Sequence, residues 1–125
     1  MIIYVDSNEL IRRVELHMAH MVWEPPVVSA TLTTSAVSRV EVARVLHRTL
    51  EPAIAAQATT RALEAVDTIN PDPTVLALAE HLPVRFLKSL DAIHVASALI
   101  IQCDAVLTRD RQMARACEEL GMRVG

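Results

Sequence analysis

The sequence predicts one α/β domain, residues 1–125, in which helices cover both faces of a central, mostly parallel sheet of four or five short strands. Three observations predict this three-layer α/β/α architecture. Short apolar segments alternate with segments of helical periodicity, which is the order that parallel strands require. The apolar segments are hydrophobic throughout, as is typical of strands buried on both faces. The chain has 125 residues, 52% of them hydrophobic, which is enough for one core and one domain.

The first half of the chain contains two predicted strands and two predicted helices. Residues 2–5 form the first strand, and residues 7–20 form a helix with an apolar face. Consecutive prolines at 25–26 end this region, because they cannot continue a helix. The β-branched segment 27–33 predicts the second strand. The polar residues at its end are typical of a helix start and predict a helix over 34–50.

The next segment predicts two helices and a marginal strand. Residues 51–66 form an alanine-rich helix that Pro52 opens, since proline suits the first turn. Residues 67–70 favour a short edge strand over a loop. Residues 74–81 form a short helix, which Pro83 ends.

The last third of the chain returns to the same alternation. The most apolar segment, 90–102, predicts a helix that Ser89 caps. Residues 105–107 form a strand, and residues 110–120 form a helix that ends at the glycine after it. Residues 122–124 begin a final strand.

Composition narrows the function classes. Glycine occurs only at 121 and 125, so the chain has no phosphate-binding loop, and the histidines and cysteines lack zinc-site spacing. The net charge of −3 does not by itself indicate a nucleic-acid binder. Every basic residue except Lys88 is arginine, the better phosphate ligand, although genome composition explains this preference equally well.

The same composition favours a cytoplasmic protein. Cys103 and Cys117 occur in a chain without a predicted secretion signal, so we expect reduced, buried, structural cysteines. The longest apolar stretch, 93–101, is too short to cross a bilayer, and no association with a membrane is expected.

Four acidic residues lie where a metal-dependent nuclease needs them. Asp6 and Asp110 follow predicted strands, and ligand sites of parallel sheets form beyond the carboxyl ends of strands. Glu41 and Asp91 lie in predicted helices that can direct them to the same crevice. Carboxylates gathered in one crevice repel each other, and Mg²⁺ or Mn²⁺ relieves this repulsion by accepting oxygen ligands.

Taken singly, each acid has a simpler interpretation. Asp6, Asp91 and Asp110 suit the starts of helices, where carboxylates cap the backbone. Glu41 can pair with a nearby arginine on the surface of its helix. His94 follows Asp91 by three residues and is interpreted as a hydrogen-bonded core histidine rather than a ligand.

Four segments, in order along the whole chain, together resemble the PIN domain, and more narrowly the VapC-type toxins of bacterial and archaeal toxin–antitoxin pairs. They are Val5-Asp6-Ser7, Ser38-Arg39-Val40-Glu41, Leu90-Asp91-Ala92-Ile93-His94-Val95-Ala96 and Leu107-Thr108-Arg109-Asp110. The third and fourth are the most specific.

This resemblance implies a metal-dependent endoribonuclease that a cognate antitoxin inhibits. The residues that match the family's acidic, Mg²⁺- or Mn²⁺-binding quartet are Asp6, Glu41, Asp91 and Asp110, with Ser7 and Thr108 as polar helpers. Metal ions held there would activate water and stabilise charge on phosphate oxygens. The candidates for binding the RNA backbone are Arg13, Arg109 and Arg111.

The resemblance also implies partners. An amphipathic antitoxin helix is expected in a groove between the helices at 7–20 and 34–50, where Leu16, Val22 and Trp23 stay partly exposed. The assembly is expected to be a homodimer or a heteromer with the antitoxin.

Three alternatives stay open. They are a housekeeping RNA-processing nuclease of the same fold, a catalytically inactive PIN-like binding module, and a phospho-acceptor receiver domain. The receiver is disfavoured because its lysine belongs near the last strand, whereas Lys88 precedes a helix.

Overall fold

The computed structural model describes residues 1–125 and contains a four-stranded sheet in which every pair of strands is parallel. The strands are β1 (Ile2–Val5), β2 (Thr31–Ser35), β3 (Val66–Ile69) and β4 (Ala105–Leu107). Their order across the sheet is β3-β2-β1-β4, so β1 lies between β2 and β4. The carboxyl ends of these strands therefore meet at one edge of the sheet.

Six helices connect and cover the strands. They are α1 (Ser7–Met18), α2 (Val37–Leu46), α3 (Pro52–Ala62), α4 (Pro73–Glu80), α5 (Ser89–Ile100) and α6 (Arg111–Glu119). The predicted alternation of strands and helices is confirmed. No helix is long and apolar enough to cross a membrane.

Strand β1 separates two cores because successive side chains of a strand point to opposite faces. Ile3 and Val5 pack on one face against buried side chains of α1, α2 and α3. Tyr4 packs on the other face against buried side chains of α5, β4 and α6. The three-layer architecture is therefore confirmed, and the cores are almost entirely aliphatic.

Both cysteines belong to the second core, as expected. Cys117 is buried and Cys103 packs against the same cluster. Burial raises the pKa of Cys117 to about 12 and raises that of Cys103 as well, so both are inert thiols.

Two predicted boundaries near β2 are wrong. The strand begins at Thr31 rather than residue 27, because it starts where β1 supplies a partner, with Thr31 opposite Ile2. Val28 lies outside the sheet and is 92% exposed. The polar residues at the end of β2 belong to the strand, so helix α2 begins only at Val37 and ends at Leu46.

Other boundaries differ by shorter distances. Helix α3 ends at Ala62, and β3 begins at Val66 as an edge strand beside β2, which confirms that weak prediction. Ser89 is the first residue of α5 and not its cap. The predicted last strand is a single bridge between Val106 and Val124. Gly121 has a φ of 79°, as expected for the residue that ends α6.

Candidate active site

Asp6 lies at the carboxyl end of the central strand and is 4% exposed. It is the N-cap of α1, and its Oδ1 accepts a hydrogen bond from the backbone N–H of Ser7 at 2.8 Å. Its Oδ2 accepts a hydrogen bond from the Thr108 hydroxyl at 2.8 Å. Burial raises the pKa of Asp6, while His94, Thr108 and Ser7 favour its charged form. The carboxylate of Asp6 therefore caps α1 and also belongs to the candidate site.

Thr108 joins two of the four acids. Its hydroxyl donates to Asp6 and accepts from the backbone N–H of Asp110 at 3.1 Å. Asp110 is the N-cap of α6, and its Oδ1 accepts from the backbone N–H groups of Gln112 and Met113. The capping interpretation of Asp110 is therefore correct, although its Oδ2 makes no hydrogen bond to the protein.

Asp91 is held in the first turn of α5 but does not cap it. The N-cap position is Lys88, and no side chain makes a capping hydrogen bond there. Burial raises the pKa of Asp91, and the charges of Asp110, Asp6 and Glu41 raise it further. Asp91 thus lies close enough to Asp6, Glu41 and Asp110 to be repelled by each of them, although the four acids come from four different segments.

A hydroxyl network fixes the start of α2, the helix that carries Glu41. The Thr34 hydroxyl donates to the backbone carbonyl of Val5 at 2.7 Å and lies 2.6 Å from the Ser38 hydroxyl. The backbone N–H of Val37 donates to the Ser35 hydroxyl. Ser38 is fully buried one turn before Glu41, so the polar end of β2 sets where α2 begins.

His94 has a role in the site that the sequence interpretation did not give it. It is fully buried, its Nε2 lies 2.5 Å from Glu41 Oε1, and its Nδ1 lies 2.6 Å from the Tyr4 hydroxyl. Burial alone lowers the pKa of His94, but the Glu41 hydrogen bond and the charges of Asp6, Glu41 and Asp91 raise it overall. The spacing of three residues from Asp91 was the only feature of the sequence that pointed to this placement.

Arg109 is tied to the protein at the edge of the site. Its Nε donates to Glu9 Oε1 at 2.6 Å, and Trp23 Nε1 donates to Glu9 Oε2 at 3.1 Å. Glu9 is 5% exposed, whereas the Arg109 side chain is 55% exposed. This buried carboxylate was not identified from the sequence.

The two other candidate arginines differ in their contacts. The Arg13 guanidinium donates to the backbone carbonyls of Ala62 and Glu64 and lies 5.8 Å from the ring of Trp23. Arg13 therefore satisfies backbone carbonyls at and just after the carboxyl end of α3. Arg111 is exposed in the first turn of α6 and makes no hydrogen bond or ion pair through its side chain.

The four carboxylates do not form a ready-made coordination shell. No three His, Cys, Asp or Glu side chains are grouped closely enough to surround a metal ion. One oxygen of Glu41 is already bonded to His94. The oxygens of Asp91, with Oε2 of Glu41 and Oδ2 of Asp110, make no hydrogen bond to the protein. Free carboxylate oxygens are the donors that Mg²⁺ and Mn²⁺ prefer, so the chemistry of the donor set fits such an ion.

Comparison with known proteins identifies a family. The family model that describes the PIN domain matches residues 3–119 of this chain. Ribonuclease VapC47 of Mycobacterium tuberculosis (strain CDC 1551 / Oshkosh) is 36% identical over 70% of this chain. Ribonuclease VapC46 of strain ATCC 25618 / H37Rv is 40% identical over 73% of this chain. The matches span 65% and 70% of the lengths of those two relatives.

Solved structures share the fold at low sequence identity. The crystal structure of VapBC2 from Rickettsia felis, bound to a DNA fragment from its promoter, matches with a TM-score of 0.75 and 11% identity over 100% of this chain and 98% of that one. A toxin–antitoxin complex from Klebsiella pneumoniae matches with a TM-score of 0.62 and 22% identity over 89% and 88% of the two chains.

Proposed function

Because this chain belongs to the PIN domain family, we propose that it is a metal-dependent endoribonuclease and the toxin of a toxin–antitoxin pair. The proposal rests on the surroundings of Asp91, whose pKa is raised first by burial and then by the charges of Asp110, Asp6 and Glu41. These four acids come from four segments and have no lysine or arginine among them. Such an arrangement favours the binding of a cation. The names of the two ribonuclease relatives support the reaction class.

The four carboxylates would hold Mg²⁺ or Mn²⁺, with Asp6 and Asp91 as the strongest candidate ligands. The ion, when bound, would activate water and offset negative charge on the phosphate that is cleaved. The protein's own contribution is orientation. Ser7 and Thr108 each hold one oxygen of Asp6, so this carboxylate cannot rotate.

Exposed arginines at the edge of the site would bind the RNA backbone. Arg109 and Arg111 flank Asp110, and the Nη atoms of Arg109 remain free while its Nε is bound to Glu9. The guanidinium of Arg13 is engaged with carbonyls at the end of α3, so we leave Arg13 out of this set. With only three aromatic residues in the chain, base stacking would contribute little.

An antitoxin would bind the groove beside the carboxyl end of α1. This groove has a volume of about 220 Å³ and is lined by residues of α1, of the loop after it and of the end of α3. Met21 and Val22 on its rim are 58% and 80% exposed. This groove lies between α1 and α3, whereas the sequence predicted an antitoxin groove between α1 and α2, which stays a prediction. The toxin–antitoxin complex with the same fold supports a partner of this kind.

One experiment tests the enzymatic proposal directly. The purified chain is incubated with total RNA in Mg²⁺, in Mn²⁺ and in excess EDTA, and the new 5′ ends are mapped by sequencing. Discrete ends that appear only with metal support the proposal. The Asp91→Asn variant is the control for contaminating nucleases, because it should produce none of these ends.

A second experiment separates a toxin from a housekeeping nuclease. The chain is expressed in cells with and without the product of the neighbouring small gene, and growth and co-purification are measured. Growth arrest that the neighbour relieves supports the toxin. Binding by no neighbour would favour the housekeeping alternative.

A ribonuclease with free thiols would act in the cytoplasm.

A further inference from the structure

Three hydrogen bonds in series connect the backbone of β2 to Glu41. The backbone N–H of Ser35 donates to the Tyr4 hydroxyl oxygen at 3.1 Å. The Tyr4 hydroxyl lies 2.6 Å from Nδ1 of His94, and Nε2 of His94 lies 2.5 Å from Glu41 Oε1. Tyr4 and His94 are both fully buried. The series therefore runs from the carboxyl end of β2, through Tyr4 of β1, to one oxygen of Glu41.

The directions of these bonds follow from the donors available. A carboxylate only accepts hydrogen bonds, so the hydrogen between His94 and Glu41 comes from Nε2. The neutral ring then has an acceptor at Nδ1, and the Tyr4 hydroxyl supplies its hydrogen while its oxygen accepts from Ser35. Nε2 donates to Glu41 whether the ring carries one hydrogen or two, so this contact does not depend on titration of His94.

Glu41 depends on this contact for its orientation. Its side chain is 24% exposed, and the bond to His94 is its only hydrogen bond to the protein. The charge of Glu41 raises the pKa of both Asp6 and Asp91, so these carboxylates repel it. A glutamate with three free torsions in that field would turn towards solvent. The edge-to-face contact between the rings of Tyr4 and His94, with centroids 5.8 Å apart, holds the imidazole in place.

We propose that Tyr4 and His94 are positioning residues that hold Oε1 of Glu41 and leave Oε2 directed to the metal and substrate pocket. This inference rests on the proposed function, because it assigns the pair to that same site. Partners that hydrogen-bond a metal ligand typically contribute about 10- to 100-fold to metal affinity or activity. Neither residue touches RNA or the reacting phosphate, so both act through Glu41.

The test is a double-mutant cycle on Mn²⁺ affinity, measured by calorimetry on folded protein without RNA. Tyr4→Phe keeps the ring and its contact with His94 and removes only the hydroxyl. We expect it to weaken Mn²⁺ binding about 10-fold or more, and His94→Gln, which keeps a donor near Glu41, to weaken it less than His94→Leu. In a Glu41→Gln background, Tyr4→Phe should change Mn²⁺ affinity no further, because its route to the metal has been removed. RNA cleavage should follow the same pattern in kcat.

The matched control is Thr59→Val, which removes an equally buried hydroxyl whose partner is the carbonyl of Ala55 within α3. It should leave Mn²⁺ affinity unchanged. Equal losses from Tyr4→Phe with and without Glu41 would show a general structural effect and overturn the inference. Wild-type Mn²⁺ affinity in Tyr4→Phe, with RNA cleavage intact, would overturn it and leave the proposed function standing. A wild-type chain that neither binds Mn²⁺ nor cleaves RNA would overturn both.

Discussion

At the scale of single residues, Asp91 separates catalysis from helix capping most clearly. Asp91→Asn keeps the shape of the side chain and removes only its charge. Because Asp91 is repelled by three other acids, we expect the melting temperature in EDTA to stay level or rise. Cleavage of RNA should fall by about 10²-fold or more, since a charge that acts on the transition state is lost. Thermal denaturation and an initial-rate assay measure the two effects.

Glu118→Gln is the control for that substitution, because Glu118 is an exposed acid of α6 outside the site. It should change neither the melting temperature nor the rate. Near wild-type cleavage by Asp91→Asn would falsify the assignment of Asp91, whatever the family similarity.

The raised pKa of Asp91 also predicts how stability depends on pH. A carboxyl whose pKa is higher in the folded than in the unfolded chain favours folding while it is protonated. That contribution is fully present below the ordinary value of 3.8 and is lost as the pH rises through the raised pKa. In EDTA, the free energy of unfolding of wild type relative to Asp91→Asn should therefore decrease from about pH 4 upwards and then level off. Urea denaturation at several pH values measures this difference, and a difference of the opposite sign would contradict the raised pKa of Asp91.

The sequence predicted the acids of the site better than their partners. The positions of Asp6 and Asp110 could be predicted because a residue directly after a buried strand lies at the carboxyl edge of the sheet. His94 was interpreted as a core residue because nothing local shows which polar group it meets. Its partners Glu41 and Tyr4 lie 53 and 90 residues away in the sequence, so only the packing of α5 against the sheet brings them together.

At the scale of secondary-structure elements, we expect Asp110 to have two functions, and two substitutions separate them. Its Oδ1 caps α6, and its charge contributes to the acidic pocket. Asp110→Asn should keep the cap and lose cleavage activity, because asparagine and aspartate cap about equally well. Asp110→Ala should lose the activity and about 1 kcal/mol of stability as well. Chemical denaturation and rate measurements on the pair show whether the two functions separate in this way.

Glu9 ties three elements together, which predicts a stability effect of Arg109. Its buried carboxylate accepts from Arg109 in the β4–α6 loop and from Trp23 in the loop after α1. Arg109→Ala would leave this carboxylate with one partner, and because Arg109 is half exposed we expect a loss of only about 1–2 kcal/mol. Glu119→Ala, which breaks the exposed pair with Arg115 and leaves Arg115 over the ring of Phe86, is the matched control and should cost less than about 0.5 kcal/mol.

A second comparison distinguishes this structural tie from RNA binding. Arg111→Ala removes a side chain without protein partners, so it should weaken RNA binding and leave the free energy of unfolding unchanged. If Arg109→Ala alters neither stability nor RNA binding, the tie through Glu9 has no energetic role.

Element boundaries were predicted least well where pairing, and not local preference, decides them. The β-branched residues at 27 and 28 favour a strand, but the sheet offers no partner there, and β2 starts opposite Ile2. The polar end of β2 was interpreted as a helix start because Thr and Ser suit both roles. Its hydroxyls do hold α2, but from inside the strand.

At the scale of the whole molecule, the net charge of −3 conflicts with a polyanionic substrate unless the acidic edge of the sheet is neutralised. The alternation of strands and helices was enough to predict the three layers, because parallel strands with both faces covered leave few other arrangements. It was also enough to place the carboxyl ends of the strands together. Whether the acidic edge is neutralised depends on the charges of its side chains, which the topology of the sheet does not determine.

Divalent metal should therefore stabilise the folded chain as well as activate it. Ions that bind only the folded state add RT ln(1 + [M]/Kd), which is about 1.4 kcal/mol for each tenfold increase in concentration above Kd. We expect the melting temperature to rise with MgCl₂ or MnCl₂ and to stay constant with KCl at equal ionic strength, since screening alone is common to both. Asp91→Asn should lose most of the metal-dependent rise, because it removes a proposed ligand and the repulsion that the metal would relieve. The same titration followed by RNA cleavage should give matching midpoints for stability and rate. Full cleavage in excess chelator would contradict the proposed metal dependence, since four carboxylates without a cation would repel the phosphate of the substrate.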